Sequence, residues 1–155
     1  MKDVAFVPSA ESSLGAGRGA RLYVTMQLDA QRFGIPVQHV RDVLRDQKIA
    51  PIPKAPTDIA GSINLRGRIV TVINMRERLQ LSTQYGERPM FIVLDVGGEF
   101  FSLLVDAVLE VSTIVDTQIE PPPSNLATNW RDVASGVCQR EDDLLVIMDV
   151  GVLLG

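Results

Sequence analysis

Apolar and polar residues alternate along much of the chain, with the two-residue period of a half-buried β-strand. The segment 22–28, LYVTMQL, has an apolar side chain at every second position, and a second strand is predicted through Phe33 and Ile35. The turn between them is 29–31, DAQ, and the glycine pair at 97–98 is a strong signal for an equivalent turn. The pattern predicts short antiparallel strands joined by tight turns.

The same order of elements occurs twice. From Leu22, the run LYVTMQLDAQRFGIPVQHVRDVL aligns without a gap with MFIVLDVGGEFFSLLVDAVLEVS from Met90. From Gly61, the run GSINLRGRIVTVINMRERL aligns with GVCQREDDLLVIMDVGVLL from Gly136. We interpret this as an internal duplication. The alternative is a chance alignment of two β-rich stretches, since apolar alternation alone produces many weak matches.

A short helix is expected after Pro36, which suits the first helical position because it lacks an N–H. Val37, Val40 and Leu44 recur three and four residues apart and would form its apolar face. Irregular proline-rich connections follow, PIPKAP at 51–56 in the first half and PPP in the second.

About five short strands per half predict a mainly β protein of two pseudo-symmetric five-stranded β-barrels packed together, with short connecting helices. We expect a flexible N-terminal tail at 1–20, because that segment is rich in glycine, serine and alanine. Residues 21–155 would form one domain of two tandem halves, about 21–88 and 89–155. Each half alone would have a marginal core, so the halves are expected to share a buried face and to meet at a groove.

The composition is that of a globular protein, with 155 residues, 46% of them hydrophobic, and a formal net charge of -4. This acidic balance argues against non-specific nucleic-acid binding. No apolar run is long enough to cross a membrane. The N-terminus, with Asp3 where a basic residue should stand, does not resemble a secretory signal. Cys138 is the single cysteine and is expected to be buried in a reducing cytoplasm.

The sequence shows no recognisable arrangement of an acid, a base and a nucleophile that could form a catalytic site. His39 is the only histidine, and one histidine with one cysteine excludes a His/Cys metal site. The acidic turn 141–143 is expected to be solvated, and no phosphate-binding loop or nucleophile elbow is present. A small-barrel enzyme subunit or a nucleic-acid binder would need a catalytic cluster or a basic face. We therefore expect a binding module without enzymatic activity, cofactor or metal.

One segment closely resembles the hallmark motif of the CheW family of chemotaxis coupling proteins. This segment is IPKAPTDIAGSINLRGRIVTVINMRERL, and family-like features extend over residues 22–154. Thr71 departs from the motif, standing where proline is common, and Asn74-Met75 replaces the usual Asp-Leu. The positions that match the motif are Pro53, Ala55, Pro56, Ile59, Gly61, Ile63, Asn64, Leu65, Arg66, Gly67 and Ile69.

The resemblance implies a single CheW-like domain of two SH3-like barrels that acts as a non-catalytic adaptor. Such proteins couple the cytoplasmic tip of methyl-accepting chemoreceptors to the regulatory domain of the histidine kinase CheA. The protein would be cytoplasmic, recruited to the inner face of the membrane through receptor arrays, without inserting into the membrane or binding nucleic acid. It would be a monomer when isolated. The alternative is a CheW-like coupling protein for a non-flagellar pathway that controls pili motility or gene expression.

The resemblance also suggests a receptor-binding site around the turn of the NLRG motif. Arg66 would contact the receptor, and Asp42, on the expected helix, would orient Arg66. Apolar contacts would come from the groove between the barrels, although each valine has plain core packing as its alternative. The full set of receptor-binding candidates is Arg66, Asp42, Val40, Ile63, Asn64, Leu65, Val105 and Val108. Kinase contacts are not assigned to individual residues, with Met75, Leu79 and 150–154 as general candidates.

Overall fold

The structure is a computed structural model, and it describes residues 19–81 and 88–154. This part of the chain is mainly β, as predicted. Its strands are β1 (Ala20–Leu28), β2 (Gln31–Pro36), β3 (Val40–Arg45), β4 (Ile59–Leu65), β5 (Arg68–Asn74), β6 (Met90–Val96), β7 (Glu99–Val105), β8 (Ala107–Val115), β9 (Ile119–Glu120), β10 (Ala134–Gln139) and β11 (Leu144–Met148). Its helices are α1 (Met75–Arg78), α2 (Thr128–Arg131) and α3 (Val150–Leu154), with 3₁₀ turns at Val37–His39 and Asp116–Gln118.

The strands form two sheets in two compact units. The first unit, His39–Val108, contains a five-stranded sheet in the order β3-β6-β7-β5-β4. The second unit combines the described residues up to Gln38 with those from Leu109, and its six-stranded sheet has the order β8-β1-β2-β11-β10-β9. The prediction of two small β units is confirmed.

The predicted division into tandem halves, 21–88 and 89–155, is wrong. The β6–β7 hairpin of the second half completes the sheet that β3, β4 and β5 begin, and the β1–β2 hairpin of the first half completes the other sheet. The duplication itself explains this exchange. Two copies with the same pattern of pairing residues can exchange equivalent hairpins without losing any hydrogen bonds.

The strand registers are the same in the two units, as an internal duplication requires. In the first unit β6 and β7 form an antiparallel hairpin, and β7 pairs in parallel with β5. In the second unit β1 and β2 form an antiparallel hairpin, and β2 pairs in parallel with β11. Both units also have a register shift at the same place, between Ile59 and Gly61 in β4 and between Ala134 and Gly136 in β10. Equivalent pairs are Val24–Ile35 and Ile92–Leu103 in the hairpins, and Thr71–Phe101 and Val146–Phe33 in the parallel contacts.

The helix predicted after Pro36 is wrong beyond one turn. A 3₁₀ turn at Val37–His39 leads directly into strand β3, which pairs with β6. The register of β3 shifts between Val40 and Asp42, and both Val40 and Val43 are buried. A bulge adds one residue to a strand, so it changes the apolar spacing from two to three. That spacing imitates a helix.

The second unit buries Cys138, which confirms the prediction for that residue. Cys138 packs in a core cluster with Tyr23, Ile114, Leu145 and Ile147, and burial raises the pKa of its thiol. The predicted tail, 1–20, lies outside the described residues except for Gly19 and Ala20. Strand β1 begins at Ala20, one residue before the predicted start of the domain.

Candidate functional site

The tip of the β4–β5 hairpin is a two-residue turn made by Arg66 and Gly67. Both residues have positive φ, 53° and 85°, which is the signature of a type I′ turn. Asn64 stabilises the turn, because its Oδ1 accepts a hydrogen bond of 2.8 Å from the Gly67 N–H. An arginine in the left-handed region costs about 1–2 kcal/mol relative to the ordinary helical conformation, and such turns usually carry asparagine, aspartate or glycine. Arg66 is therefore a strained residue at an exposed tip, and strain of this kind is concentrated at functional sites.

Arg66 forms an ion pair with Asp42, as predicted. Arg66 Nη2 lies 3.6 Å from Asp42 Oδ2, and the other carboxylate oxygen of Asp42 accepts a 2.9 Å hydrogen bond from the Val43 N–H. Asp42 belongs to strand β3 and not to a helix. The Arg66 side chain is 82% exposed, whereas Asp42 is 28% exposed. An exposed pair adds only about 0–1 kcal/mol to stability, so its main effect is to orient the arginine.

One face of the hairpin packs against the core, and the other carries an exposed apolar residue that was not among the predicted site residues. Ile63 is buried in the core of the first unit, and Leu65 packs against that core. Asn64 and Ile69 lie opposite each other in the ladder, and Ile69 is 66% exposed. Strand alternation was the available signal, because Val70 faces the core and Ile69 must therefore face outward. Ile69 is therefore the large apolar residue that the hairpin leaves exposed.

The apolar groove was predicted to be lined by residues from both sequence halves. All eight receptor-binding candidates instead belong to the first unit. Val40 and Val105 are buried, and Val105 has no exposed surface. Val108 is half-buried, and its N–H donates to Met90 Sδ at 3.4 Å. Core packing, the alternative reading for these valines, is the role that the structure shows for Val40 and Val105. Neither valine is therefore exposed enough to form a binding surface.

The general kinase-contact candidates are also largely internal. Met75 and Leu79 are buried, with 0% and 1% exposure, as are Val150 and Leu153 in α3. Val152 is 53% exposed, and Gly151 beside it is exposed as well.

Two further arginines lie close to the hairpin and were not among the predicted site residues. The guanidinium carbon of Arg68 lies 4.1 Å from the centroid of the Phe100 ring, and that of Arg41 lies 5.4 Å from the same centroid. Both distances are within the range of cation–π attraction. Phe100 itself packs against the core cluster of the first unit.

The second unit also pairs an arginine with the residue that duplicates Asp42, but this arginine, Arg140, aligns with Leu65 and not with Arg66. Arg140, after β10, lies 3.8 Å from Glu110 of β8, and Glu110 aligns with Asp42 in the duplication. Arg140 also makes two 2.7 Å hydrogen bonds to Asp143, which raise the pKa of Arg140 and lower that of the Asp143 carboxyl. Arg32 adds a 3.3 Å contact to Asp143. Arg140 thus finds its ion-pair and hydrogen-bond partners, Glu110 and Asp143, within the second unit.

Residues 19–81 and 88–154 contain no group of three or more histidine, cysteine, aspartate or glutamate side chains arranged to hold a metal ion. None of the helices described in these ranges has the length and apolar character needed to cross a membrane.

The comparisons with known proteins agree with this architecture. The model of the CheW-like domain family matches residues 22–155. The chain belongs to the CheW-like family. Among its relatives, the chemotaxis protein CheW of Rhizobium meliloti is 29% identical over 133 residues, covering 85% of this chain and 86% of the relative. The CheW of Treponema pallidum is 26% identical over 132 residues, covering 82% and 78% of the two chains.

A solved structure supports the CheW-like fold. The scaffolding protein TtCheW from Thermoanaerobacter tengcongensis superimposes with a TM-score of 0.76 at 31% identity, covering 83% of this chain and 88% of that protein. The exchanged β6–β7 and β1–β2 hairpins therefore occur in a chain whose CheW-like architecture is established. The hairpin tip with Arg66 and Asp42 lies within the matched region.

Proposed function

We propose that this protein is a non-catalytic adaptor that couples methyl-accepting chemoreceptors to the histidine kinase CheA. Membership of the CheW-like family and the relatives named chemotaxis protein CheW support this proposal. The adaptor works in the cytoplasm and is recruited to the inner face of the membrane through its receptors. Its action depends on binding alone, with no chemical reaction.

The observation that carries the proposal is the state of Arg66. A strained, 82% exposed arginine is held by Asp42 at the tip of a type I′ turn. A guanidinium has five N–H donors in a planar fork, and the ion pair with Asp42, the one that Arg66 forms within the described residues, leaves most of them available. The cytoplasmic tip of the receptor would accept hydrogen bonds from this fork, while exposed Ile69 supplies apolar contact on the other face of the hairpin.

The individual contacts in such an assembly are weak, because one small hairpin buries little surface. Stable complexes then arise from several simultaneous contacts with receptor and kinase. The isolated protein is accordingly expected to sediment as a monomer at micromolar concentration. A stable dimer in analytical ultracentrifugation would contradict this part of the proposal.

Co-sedimentation with membranes that contain chemoreceptors, in the presence and absence of CheA, tests the proposal. The variants are Arg66→Glu and Asp42→Asn, and Arg21→Glu is the matched control. Arg21 is also an exposed arginine in a long ion pair, with its Nε 3.8 Å from Asp116. Loss of a charge-assisted contact together with charge repulsion is expected to weaken receptor binding by Arg66→Glu about tenfold or more.

Asp42→Asn is expected to have a smaller effect, since it loses only the orientation of Arg66, and the Arg21 control should bind like the wild-type protein. All three variants should keep the thermal melting temperature of the wild type. If Arg66→Glu pellets with receptor membranes as well as wild type does, the hairpin is not the receptor contact. If the wild type neither pellets with receptors nor increases kinase phosphorylation, the proposed function itself is wrong.

A further inference from the structure

The Phe100 ring lies beside two arginines that have no acidic partner among the residues that the structure describes. Arg41 comes from β3 and Arg68 from β5, and both are exposed side chains beside the same ring on β7. Within residues 19–81 and 88–154, neither guanidinium forms an ion pair with a carboxylate. Two like charges gathered at one ring repel each other, so an anion that binds to both would relieve that repulsion.

The backbone explains how residues from distant strands reach the same ring. In the sheet order, β6 lies between β3 and β7. The register shift of β3 falls between Val40 and Asp42, so Arg41 is the residue at the bulge. A bulge changes the direction of a side chain relative to the regular ladder. Arg68 begins β5, which is paired directly with β7, and Leu65 is its cross-strand neighbour on the same face.

The second unit provides an internal comparison for this cluster. By the alignment of the duplicated segments, Arg32 occupies the position of Phe100, and Asp143 occupies that of Arg68. Arg32 and Asp143 are in contact, at 3.3 Å, just as Phe100 and Arg68 are. The same two positions thus neutralise each other in the second unit. In the first unit they leave a positive charge on an apolar support.

We propose that Arg41, Arg68 and Phe100 form a second contact subsite that selects a protein partner by an acidic side chain. The subsite lies beside the Arg66 hairpin, and this inference rests on the proposed function of that hairpin. A carboxylate of the partner would accept hydrogen bonds from the guanidinium groups of Arg41 and Arg68. Phe100 is a positioning residue, because its ring holds both groups in place before the partner arrives.

Charge complementarity favours an acidic protein segment as the occupant. Arg41, Arg66 and Arg68 with Asp42 carry a net positive charge on a protein whose overall charge is -4. A planar guanidinium matches a carboxylate through two parallel hydrogen bonds, which gives directional recognition. Leu65, half-buried beside Arg68, adds an apolar contact that a folded acidic segment can use. An anionic membrane surface needs only diffuse charge, and the net negative charge of the chain opposes that mode.

Titration of the full-length protein with a soluble fragment of the receptor's cytoplasmic tip tests this subsite. The variants are Arg41→Gln, Arg68→Gln and Phe100→Leu, with Arg21→Gln as a control that removes the same charge from the second unit. Each arginine variant is expected to weaken binding about three- to tenfold and to reduce the dependence of Kd on salt concentration. Phe100→Leu is expected to weaken binding less, and the Arg21 control should bind like wild type.

Replacing an acidic residue of the receptor fragment by glutamine identifies its contact. If the subsite exists, one such replacement lowers the affinity of wild type and has a smaller effect on Arg68→Gln, because only the Arg41 contact is then left to lose. If Arg66→Glu loses binding while Arg41→Gln and Arg68→Gln bind normally, the subsite is wrong and the proposed function stands. If the wild type does not bind the fragment, both inferences fail. If the arginines instead govern binding to vesicles of anionic lipid without receptor, the occupant is a membrane surface and this assignment is wrong.

Discussion

Replacing Gly61 by alanine would test whether close backbone approach sustains the candidate hairpin. A Cβ at Gly61 would overlap the carbonyl oxygen of Ala50 and would lie 2.7 Å from Ile49 Cγ2. The backbone φ of Gly61, +146°, is also one that residues with side chains rarely adopt. Ala50 cannot simply move away, because it is bridged to Ser62 by two backbone hydrogen bonds of 2.8 Å.

The expected cost follows from these contacts. Breaking the bridge loses two hydrogen bonds worth about 1 kcal/mol each, and the unfavourable φ adds about 1–3 kcal/mol. Gly61→Ala should therefore lower the free energy of unfolding by about 3–5 kcal/mol. Gly67→Ala separates the two causes, since Gly67 also has positive φ, 85°, but nothing lies within 4 Å of its Cβ position. Gly67→Ala should cost only about 1–2 kcal/mol.

Urea denaturation followed by far-UV circular dichroism would measure these differences. Gly136, the duplicate of Gly61, gives an intermediate case, because its Cβ would lie 2.6 Å from Ile119 Cγ2 and 3.0 Å from the carbonyl oxygen of Glu120. Trp130 is the single tryptophan and lies in the second unit, so its fluorescence should report the Gly136 variant directly. If Gly61→Ala costs no more than Gly67→Ala, crowding against Ala50 does not constrain the hairpin and the reasoning is wrong.

Two other changes test the interior and the acidic turn. Ser102 is fully buried, and its Oγ has no hydrogen-bond partner among the described residues. Ser102→Ala should therefore raise the free energy of unfolding by about 1 kcal/mol in urea titrations, and a loss of stability would contradict this. Asp143→Asn should lower the free energy of unfolding by about 1–3 kcal/mol at pH 7, because two arginines bond the carboxylate. Since Arg140 lowers the pKa of Asp143, the wild-type advantage exists above the unfolded pKa of about 4 and is lost as pH falls through the folded pKa; a constant difference down to pH 2 would contradict this.

Local pattern was sufficient to predict most of the strands and the central pair of the candidate site. Alternation identifies β1, and glycine pairs identify hairpin turns because few residues adopt positive φ. The Asp42–Arg66 contact was also predicted, from the family resemblance, and the structure confirms it. It joins strand β3 to the turn between β4 and β5, all of which come from the first half of the chain.

Pairing between the two copies and the bulge in β3 could not be predicted. The sequence of β3 does not indicate whether it pairs with β1 or with β6. These two strands are duplicates, and each pairs in the equivalent register with the second strand of its hairpin. The bulge near Arg41 gives Val40 and Val43 a spacing that also fits a helix. It also brings Arg41 to Phe100, a contact between residues that no linear motif connects.

The two units show how one scaffold can present or neutralise an arginine. In the first unit Arg66 lies in a two-residue turn, its one ion pair within the described residues is with Asp42, and 82% of its side chain is exposed. In the second unit Arg140 is 22% exposed and is bonded to Asp143, and both residues lie in the four-residue loop between β10 and β11. The acidic residue on the third strand of each copy is retained as Asp42 or Glu110, so it does not explain the difference. The difference lies in the connection between the two hairpin strands, which is two residues from β4 to β5 and four residues from β10 to β11. A longer loop with its own carboxylate satisfies the guanidinium internally, whereas the short turn leaves its donors for a partner.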